Sequence, residues 1–373
     1  MKENIQALVY YFPNYHYEPR NLPYHGKGWT EWELMKHATP RFEGHYQPKV
    51  PLWGYEDESD PAVMERKIDA AADAGIDAFI YDWYWYDGPY LQRALDEGFL
   101  KAKNVNRLKF CLMWANHDWK NMHPAVHGAD WPIIFPWTTT FETVGYVWDY
   151  IIERYFKHPQ YFTLDGKPFF SLYAVARFII QMGGLEKTHQ ALDLLREKAI
   201  QAGLPGVHIC AGWYDNLDKD PLMVCPQKEW KEKLGIDSYT SYNTHAIVPD
   251  PGRPFGQKEL CDYWMPIFER AQRTLPAPYY PVATAGWDCS PRTIQSDHYE
   301  IRPGKYLYES FMEGTPESFE YFLTRLKENL LTRPPKERLL FINAWNEWTE
   351  GSYIEPDLKY GTGFLDAIRK VLK

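Results

Sequence analysis

The chain has 373 residues, 45% of them hydrophobic, and a net charge of −9 with no basic run. That length suits one large barrel or two ordinary domains, and the apolar content excludes a disordered chain. The negative charge argues against nucleic acid or an anionic membrane as partner, and no apolar segment approaches the roughly 18 residues of a membrane span.

Ala7 to Phe12 forms an apolar run that predicts the first strand, with Met1-Lys2-Glu3-Asn4 leading straight into it and no secretory leader between. A cytoplasmic location is therefore the default expectation, and a periplasmic one if a leader has been removed. An aromatic loop over 13–58 follows, too long for a plain connection. Asp60 and Pro61 predict a helix start, and Gly75 its end. Strand two is expected over Ile76–Tyr81, a helix near 89–103, and strand three over Lys109–Trp114. A helix at 141–156 precedes strand four (Pro168–Tyr173), and one at 187–202 precedes strand five (Val207–Trp213). Strand six is placed at Ile236–Tyr242, a helix at 257–273, and strand seven at Pro281–Ala285. A helix at 315–331, a strand beginning at Leu339 and a closing helix at 361–372 complete the chain.

Eight alternating β/α units imply a parallel sheet, and that number favours a closed (β/α)8 TIM barrel over an open doubly wound sheet. The whole chain, 1–373, is expected to form this single catalytic barrel, with long aromatic-rich loops at the carboxyl ends of the strands. Neither GxGxxG after the first strand nor GxxxxGK[ST] occurs, so a nucleotide-binding sheet has no support. Five cysteines (111, 210, 225, 261 and 289) form no CxxC pair, which excludes a zinc ribbon or a disulfide framework.

Polar and aromatic residues recur just after the strands, at the face where barrel enzymes build their sites. They are Tyr11 and His16, then Asp82 and Trp85, then Trp114, Asn116 and His117, with Tyr214, Tyr242, Trp287 and Asp288 further along. The densest group follows the last strand: Asn346, Glu347, Trp348 and Glu350. Glu347 and Glu350 are three apart, so a helical turn there would put both carboxylates on one side. Paired carboxylates among aromatic rings suit glycosidic chemistry, one protonating a leaving oxygen and the other taking a proton or attacking. Aromatic residues reach 17%, and such rings stack on the C–H faces of sugars, although a tightly packed core would show the same excess.

The segments Tyr11–His16, Gly28–Trp32, Gly44–Pro48, Trp114–His117 and Asn346–Gly351, met in that order, resemble the WbsX-type proteins. These are often labelled glycosyltransferases of polysaccharide loci and are related to glycoside hydrolase family 99. The Asn-Glu-Trp-x-Glu-Gly motif is similar to that of family 99 itself, a β/α barrel of retaining endo-α-mannosidases and endo-α-mannanases. By that resemblance Glu347 is a base for the substrate's own 2-hydroxyl, giving a 1,2-anhydro sugar, and Glu350 is the acid/base. Glu350 then needs a pKa raised by apolar surroundings, and Glu347 must be ionised. Trp345, Trp348 and the aromatic loops are expected to supply a partly dry pocket.

Substrate-binding roles are expected for Tyr11 and His16 beside the cleaved sugar, and for Trp29, Tyr46, Trp85 and Trp119 as ring platforms. Glu31 is expected either to accept sugar hydroxyls or to cap its loop; Asn116 and His117 are expected to bind hydroxyls. Asp288 and Arg292 form a substrate clamp or a local ion pair. No metal or organic cofactor is called for, since His117-Asp118 lacks a third ligand at suitable spacing. The leading expectation is a retaining hydrolase of an α-linked oligosaccharide or polysaccharide. A glycosyltransferase is the alternative, its only Asp-x-Asp being Asp218-Lys219-Asp220 in a polar loop. A sugar-binding protein without catalysis comes last. Sugar, linkage and oligomeric state are left open.

Overall fold

The computed structural model describes residues 5–126, 129–214, 223–244, 255–295 and 311–373. At its centre a parallel sheet rolls into a barrel. The strands are β1 (Gln6–Tyr11), β2 (Ala78–Trp85), β3 (Lys109–Trp114), β4 (Lys167–Leu172), β5 (His208–Gly212) and β6 (Ser238–Thr240). They continue as β7 (Tyr279–Tyr280), β8 (Val282–Thr284) and β9 (Leu339–Asn343). Hydrogen bonding follows the order β7-β6-β5-β4-β3-β2-β1-β9-β8. β7 and β8 are two halves of the seventh barrel strand, interrupted at Pro281, which has no N–H for the ladder. One half pairs with β6 and the other with β9, so the ring closes through this broken strand.

Alternation along the strands decides what faces the barrel axis. Tyr10, Phe169, Tyr280 and Phe341 point inward. The ring centre of Phe341 lies 6.0 Å from those of Tyr10 and Phe169 and 5.9 Å from that of Tyr280, so the interior is packed solid beneath the site. Tyr11, Phe79, Tyr81 and Trp83 face outward. Tyr11 lies against Met64 of helix α1 (Pro61–Ala74), and Trp83 against Trp114.

The other helices of eight residues or more are α2 (Val144–Ile151), α3 (Val175–Met182), α4 (Leu185–Gln201), α5 (Gln257–Thr274), α6 (Pro316–Leu331) and α7 (Gly363–Leu372). α1 starts and stops where the sequence signals it. Asp60 accepts the Ala62 N–H at 2.8 Å, and Gly75 takes a left-handed φ of 100°. The helix expected near 89–103 is replaced by a π-turn at Ala94–Gly98 and a 3-10 turn at Phe99–Lys101. There the chain presses against the long first loop, and a Cβ on Gly98 would lie 2.2 Å from the Glu58 carbonyl oxygen. Contact, not helix propensity, sets the local path. α3 was not expected at all; it fills the connection between strand four and α4. Among the described residues no helix is long and apolar enough to cross a membrane.

Phe341→Ala removes a ring that touches three others inside the barrel. It should lower unfolding stability by about 3–5 kcal/mol in a denaturant titration. A loss below about 1 kcal/mol would mean that the barrel interior does not depend on this layer.

Candidate active site

β9 ends at Asn343, and the chain then forms a small antiparallel ribbon, Asn346–Glu347 against Ser352–Tyr353. Its tip is a 3-10 turn, Trp348–Glu350, closed by Gly351 with φ of 64°. A Cβ at Gly351 would come within 2.7 Å of Asp288 Cβ and Lys49 Nζ, so position and conformation both call for glycine. The turn places Glu347 at its start and Glu350 at its end, which brings the two carboxylates to one side.

The back of this turn is bolted to the barrel. Asn346 accepts the Phe12 N–H at 2.8 Å and donates to the Phe12 carbonyl at 2.8 Å and to Glu58 at 2.9 Å. Trp348 stacks on Tyr353 with ring centres 3.8 Å apart, and its N–H meets Glu355 at 2.9 Å. Lys67 of α1 bridges Glu58 and Glu355 at 2.6 and 2.7 Å. Burial raises the Glu58 carboxyl to about 7 against the pull of Lys67.

The front of the turn faces Arg292, which arrives on the 3-10 turn Ser290–Arg292 after the seventh strand. Its guanidinium reaches Glu350 Oε1 at 2.6 Å, Glu347 Oε2 at 3.2 Å and Glu31 Oε1 at 3.2 Å, and its Nε reaches Thr349 Oγ1 at 2.8 Å. All three carboxylates and the arginine are buried. Burial would raise Glu31, but the Arg292 cation and the bonds from Thr349 and Asn14 bring it below the ordinary carboxylate range. Burial raises both Glu347, to about 7, and Glu350, each opposed by Arg292 and reinforced by the Glu31 charge. Tyr242 donates to or accepts from Glu347 Oε1 at 2.7 Å and Asp82 Oδ2 at 2.8 Å. Burial, with Glu347 beside it, pushes the Asp82 carboxyl well above its usual range.

These groups open on a cavity of about 450 Å³. Phe12, Tyr84, Trp119, Trp131 and Trp287 supply aromatic wall; Asp82, His117, His123, Tyr242, Asn243 and Arg177 supply polar wall. Burial lowers His117 and lowers His123 to about 4, so both imidazoles are neutral at pH 7. Neutral rings can donate and accept, which suits sugar hydroxyls.

Of the residues singled out from sequence, Glu347, Glu350, Asp82, His117, Tyr242, Trp287 and Trp119 meet at this cavity, with Arg292. Others lie elsewhere. Tyr11, Trp85 and Trp114 occupy outward positions of their strands and pack on Met64, on Trp83 and Tyr150, and on Trp148 and Phe178. His16 is buried off the cavity, where burial lowers it to about 4. Asn116 exchanges both its amide groups with the Ala174 backbone, at 2.9 and 2.8 Å, and ties β3 to β4. Tyr46 packs edge-on to Tyr360 beneath Lys359. Trp29 stacks on His25, ring centres 4.1 Å apart.

Tyr214 stands behind Tyr242, its hydroxyl accepting the Tyr242 N–H at 3.3 Å. Asn346, Trp348 and Trp345 brace the turn from behind and are fully buried. Glu31 is neither a sugar acceptor on the cavity wall nor a side-chain cap for the helix Trp32–His37; it is a counter-ion to Arg292. Asp288 is fully buried against His45 at 2.9 Å, Gln47 at 2.6 Å and Lys49 at 3.4 Å. Those partners hold it well below the usual carboxylate range despite its burial. It fastens the first long loop to the seventh; a substrate clamp it is not.

Phe12, His123, Trp131, Tyr173 and Arg177 line the cavity without having been singled out. Phe12 had a signal, being the last residue of the first apolar run. Arg177 belongs to α3, in the connection between strand four and α4. Asp215, Asp218 and Asp220 lie outside the described residues.

Residues 7–368 match the family described as glycosyltransferase WbsX. The chain belongs to that family. A WxcX protein of Xanthomonas campestris pv. campestris strain B100 is 27% identical over 379 residues, covering 98% of this chain and 49% of its own length. This WbsX-family chain thus spans about half the length of the curated relatives it matches. Among solved structures, a GH99 endo-α-mannosidase from Bacteroides thetaiotaomicron aligns with a TM-score of 0.54 at 15% identity, over 100% of this chain and 96% of that one. A glycoside hydrolase-like protein reaches 0.62 at 13% identity, over 100% and 95%. These likenesses show a shared barrel fold.

Arg292→Met leaves three buried carboxylates facing one another without this cation. The variant should lose about 3–5 kcal/mol of unfolding stability at pH 8. The loss should shrink toward pH 5, because without Arg292 the folded-state pKa values of Glu31, Glu347 and Glu350 all rise, and protonation relieves the repulsion. Denaturant titrations at both pH values check this; an equal loss at both would show that the charge cluster is not the cause.

Proposed function

We propose that residues 1–373 act as one catalytic barrel that hydrolyses an α-linked glycan with retention of configuration. The observation that carries this reading is the pair Glu347 and Glu350, buried at the two ends of one turn, sharing Arg292, and facing an aromatic-walled cavity. Such a cavity takes a sugar ring between indole or phenol faces, and its polar groups fix the ring's orientation. The name of the matched Bacteroides structure, an endo-α-mannosidase, supports the reaction type; its sugar is not carried over.

In this proposal Glu347 takes the proton of the substrate's 2-hydroxyl. The freed oxygen attacks the anomeric carbon while the glycosidic bond breaks and Glu350 gives its proton to the leaving oxygen. A 1,2-anhydro sugar results. Glu350 then takes a proton from water as the water oxygen opens that ring, and the 2-oxygen recovers its proton from Glu347. Both carboxyls end as they began. Raised pKa values suit both tasks: burial moves Glu350 toward holding the proton it has to donate, and makes Glu347 more basic for taking one. His117 and His123, neutral, would bind other hydroxyls, and Trp119 and Trp287 would stack.

The family's description favours a second reading, a glycosyltransferase that uses a nucleotide sugar. A panel of α-linked oligosaccharides and nucleotide sugars, with products read by mass spectrometry, separates the two. Cleavage of a glycan without nucleotide is expected. Glu350→Gln should lower kcat/KM by about 10²–10⁴ while leaving glycan affinity within a few fold, and Glu347→Gln should do likewise. Nucleoside diphosphate release that depends on an acceptor sugar would overturn the hydrolase reading.

A further inference from the structure

Tyr242 stands between two carboxyl groups. Its hydroxyl oxygen lies 2.8 Å from Asp82 Oδ2 and 2.7 Å from Glu347 Oε1, both ordinary O–H···O distances. A phenol carries one proton and can donate along only one of these lines. Along the other line the carboxyl has to supply the proton, because an ionised carboxylate only accepts. The trio is therefore satisfied only when one of the two acids is protonated.

The surroundings say which. Glu347 has a cation on its second oxygen, Arg292 Nη2 at 3.2 Å. Asp82 is 3% exposed, and its Oδ1 is buried without a partner. The groups that face it are Glu347 and Glu350 from the turn, Tyr242 beyond β6, Tyr84 from its own strand, Tyr10 from β1 and Tyr173 beyond β4. None of these is a cation. A second negative charge there would meet one already on Glu347 with nothing between them but the phenol.

We propose that Asp82 is held as a neutral carboxylic acid that donates its proton to the Tyr242 oxygen, which commits the Tyr242 hydroxyl to Glu347. Asp82 is thus a positioning residue. It fixes the direction of the Tyr242 hydrogen bond, keeps the negative charge on Glu347, and so aims the carboxylate that the hydrolytic reading, on which this role rests, uses as base. Asp82 and Tyr242 arrive from strands two and six, so the last turn is oriented from the barrel walls on either side of it.

Infrared spectroscopy of the full chain at pH 7 tests the proton's place without any substrate, so it stands or falls separately from the hydrolytic reading. The carbonyl stretch of a protonated carboxyl lies apart from the amide and carboxylate bands and shifts in heavy water. Asp82's component of that band, read in the difference spectrum between the parent protein and Asp82→Asn, should be present in the parent and lost in the variant. In Tyr242→Phe it should persist at higher frequency, because the acid has lost its acceptor; this second variant carries the test should Asp82→Asn fail to fold. A band that survives in Asp82→Asn and disappears in Glu347→Gln would put the proton on the other acid and overturn the proposal. So would a band that Tyr242→Phe leaves unmoved.

Discussion

Arg292 lies 6% exposed among three carboxylates that belong to two different stretches of the chain, Glu31 on the first long loop and Glu347 and Glu350 on the last turn. Buried charges of this kind are costly to desolvate, and the cost is offset only where ion pairs and hydrogen bonds are complete. The shape of the barrel's upper face follows from that requirement. The loop that bears Glu31 has to fold back over the barrel, the turn after β9 has to stop short, and the segment after the seventh strand has to aim its guanidinium inward. Remove the cation and each of these segments loses its reason to be where it is.

Two further ionic clusters keep those segments from drifting. Behind the turn, Lys67 is clasped by Glu58 and Glu355, and Asn346 joins Glu58 to the end of β1. Beside it, Asp288 gathers His45, Gln47 and Lys49 from the first loop. Each cluster links one loop to another, and each is buried. The polar residues of the long loops are spent largely on fixing the frame, while the cavity wall itself mixes aromatic rings with polar and ionisable side chains. An arrangement of this kind holds a pair of carboxyls in place before any ligand arrives, which is what catalysis by positioned charge needs.

The strands and most helices were legible because their signals are local: apolar runs for a sheet covered on both sides, and a cap, a proline and a glycine around α1. The broken seventh strand was not, since Pro281 within an apolar run gives no hint that its halves pair with different neighbours. The turn bearing Glu347 and Glu350 was legible from their spacing, as were Asp82, Tyr242 and Trp287 from their place after strands. Tyr11, Trp85 and Trp114 were misplaced for one reason. A residue at a strand's end faces the axis or the helices according to a parity that sequence alone does not reveal when both faces are apolar. Glu31, Asn346 and Asp288 looked like ligands because they sit in motifs, yet their partners are protein groups 261, 334 and 243 positions away. No local pattern encodes such pairings.

The account rests on Glu347 and Glu350 working together on one glycosidic bond. The most direct measurement is proton NMR of the products in the first minutes after the enzyme meets a glycan it cleaves, before the released sugar mutarotates. The account predicts that the first product has the same anomeric configuration as the bond that was broken. Release of the opposite anomer would contradict it, because a single displacement by water leaves no place for Glu347 as the base of a 1,2-anhydro step.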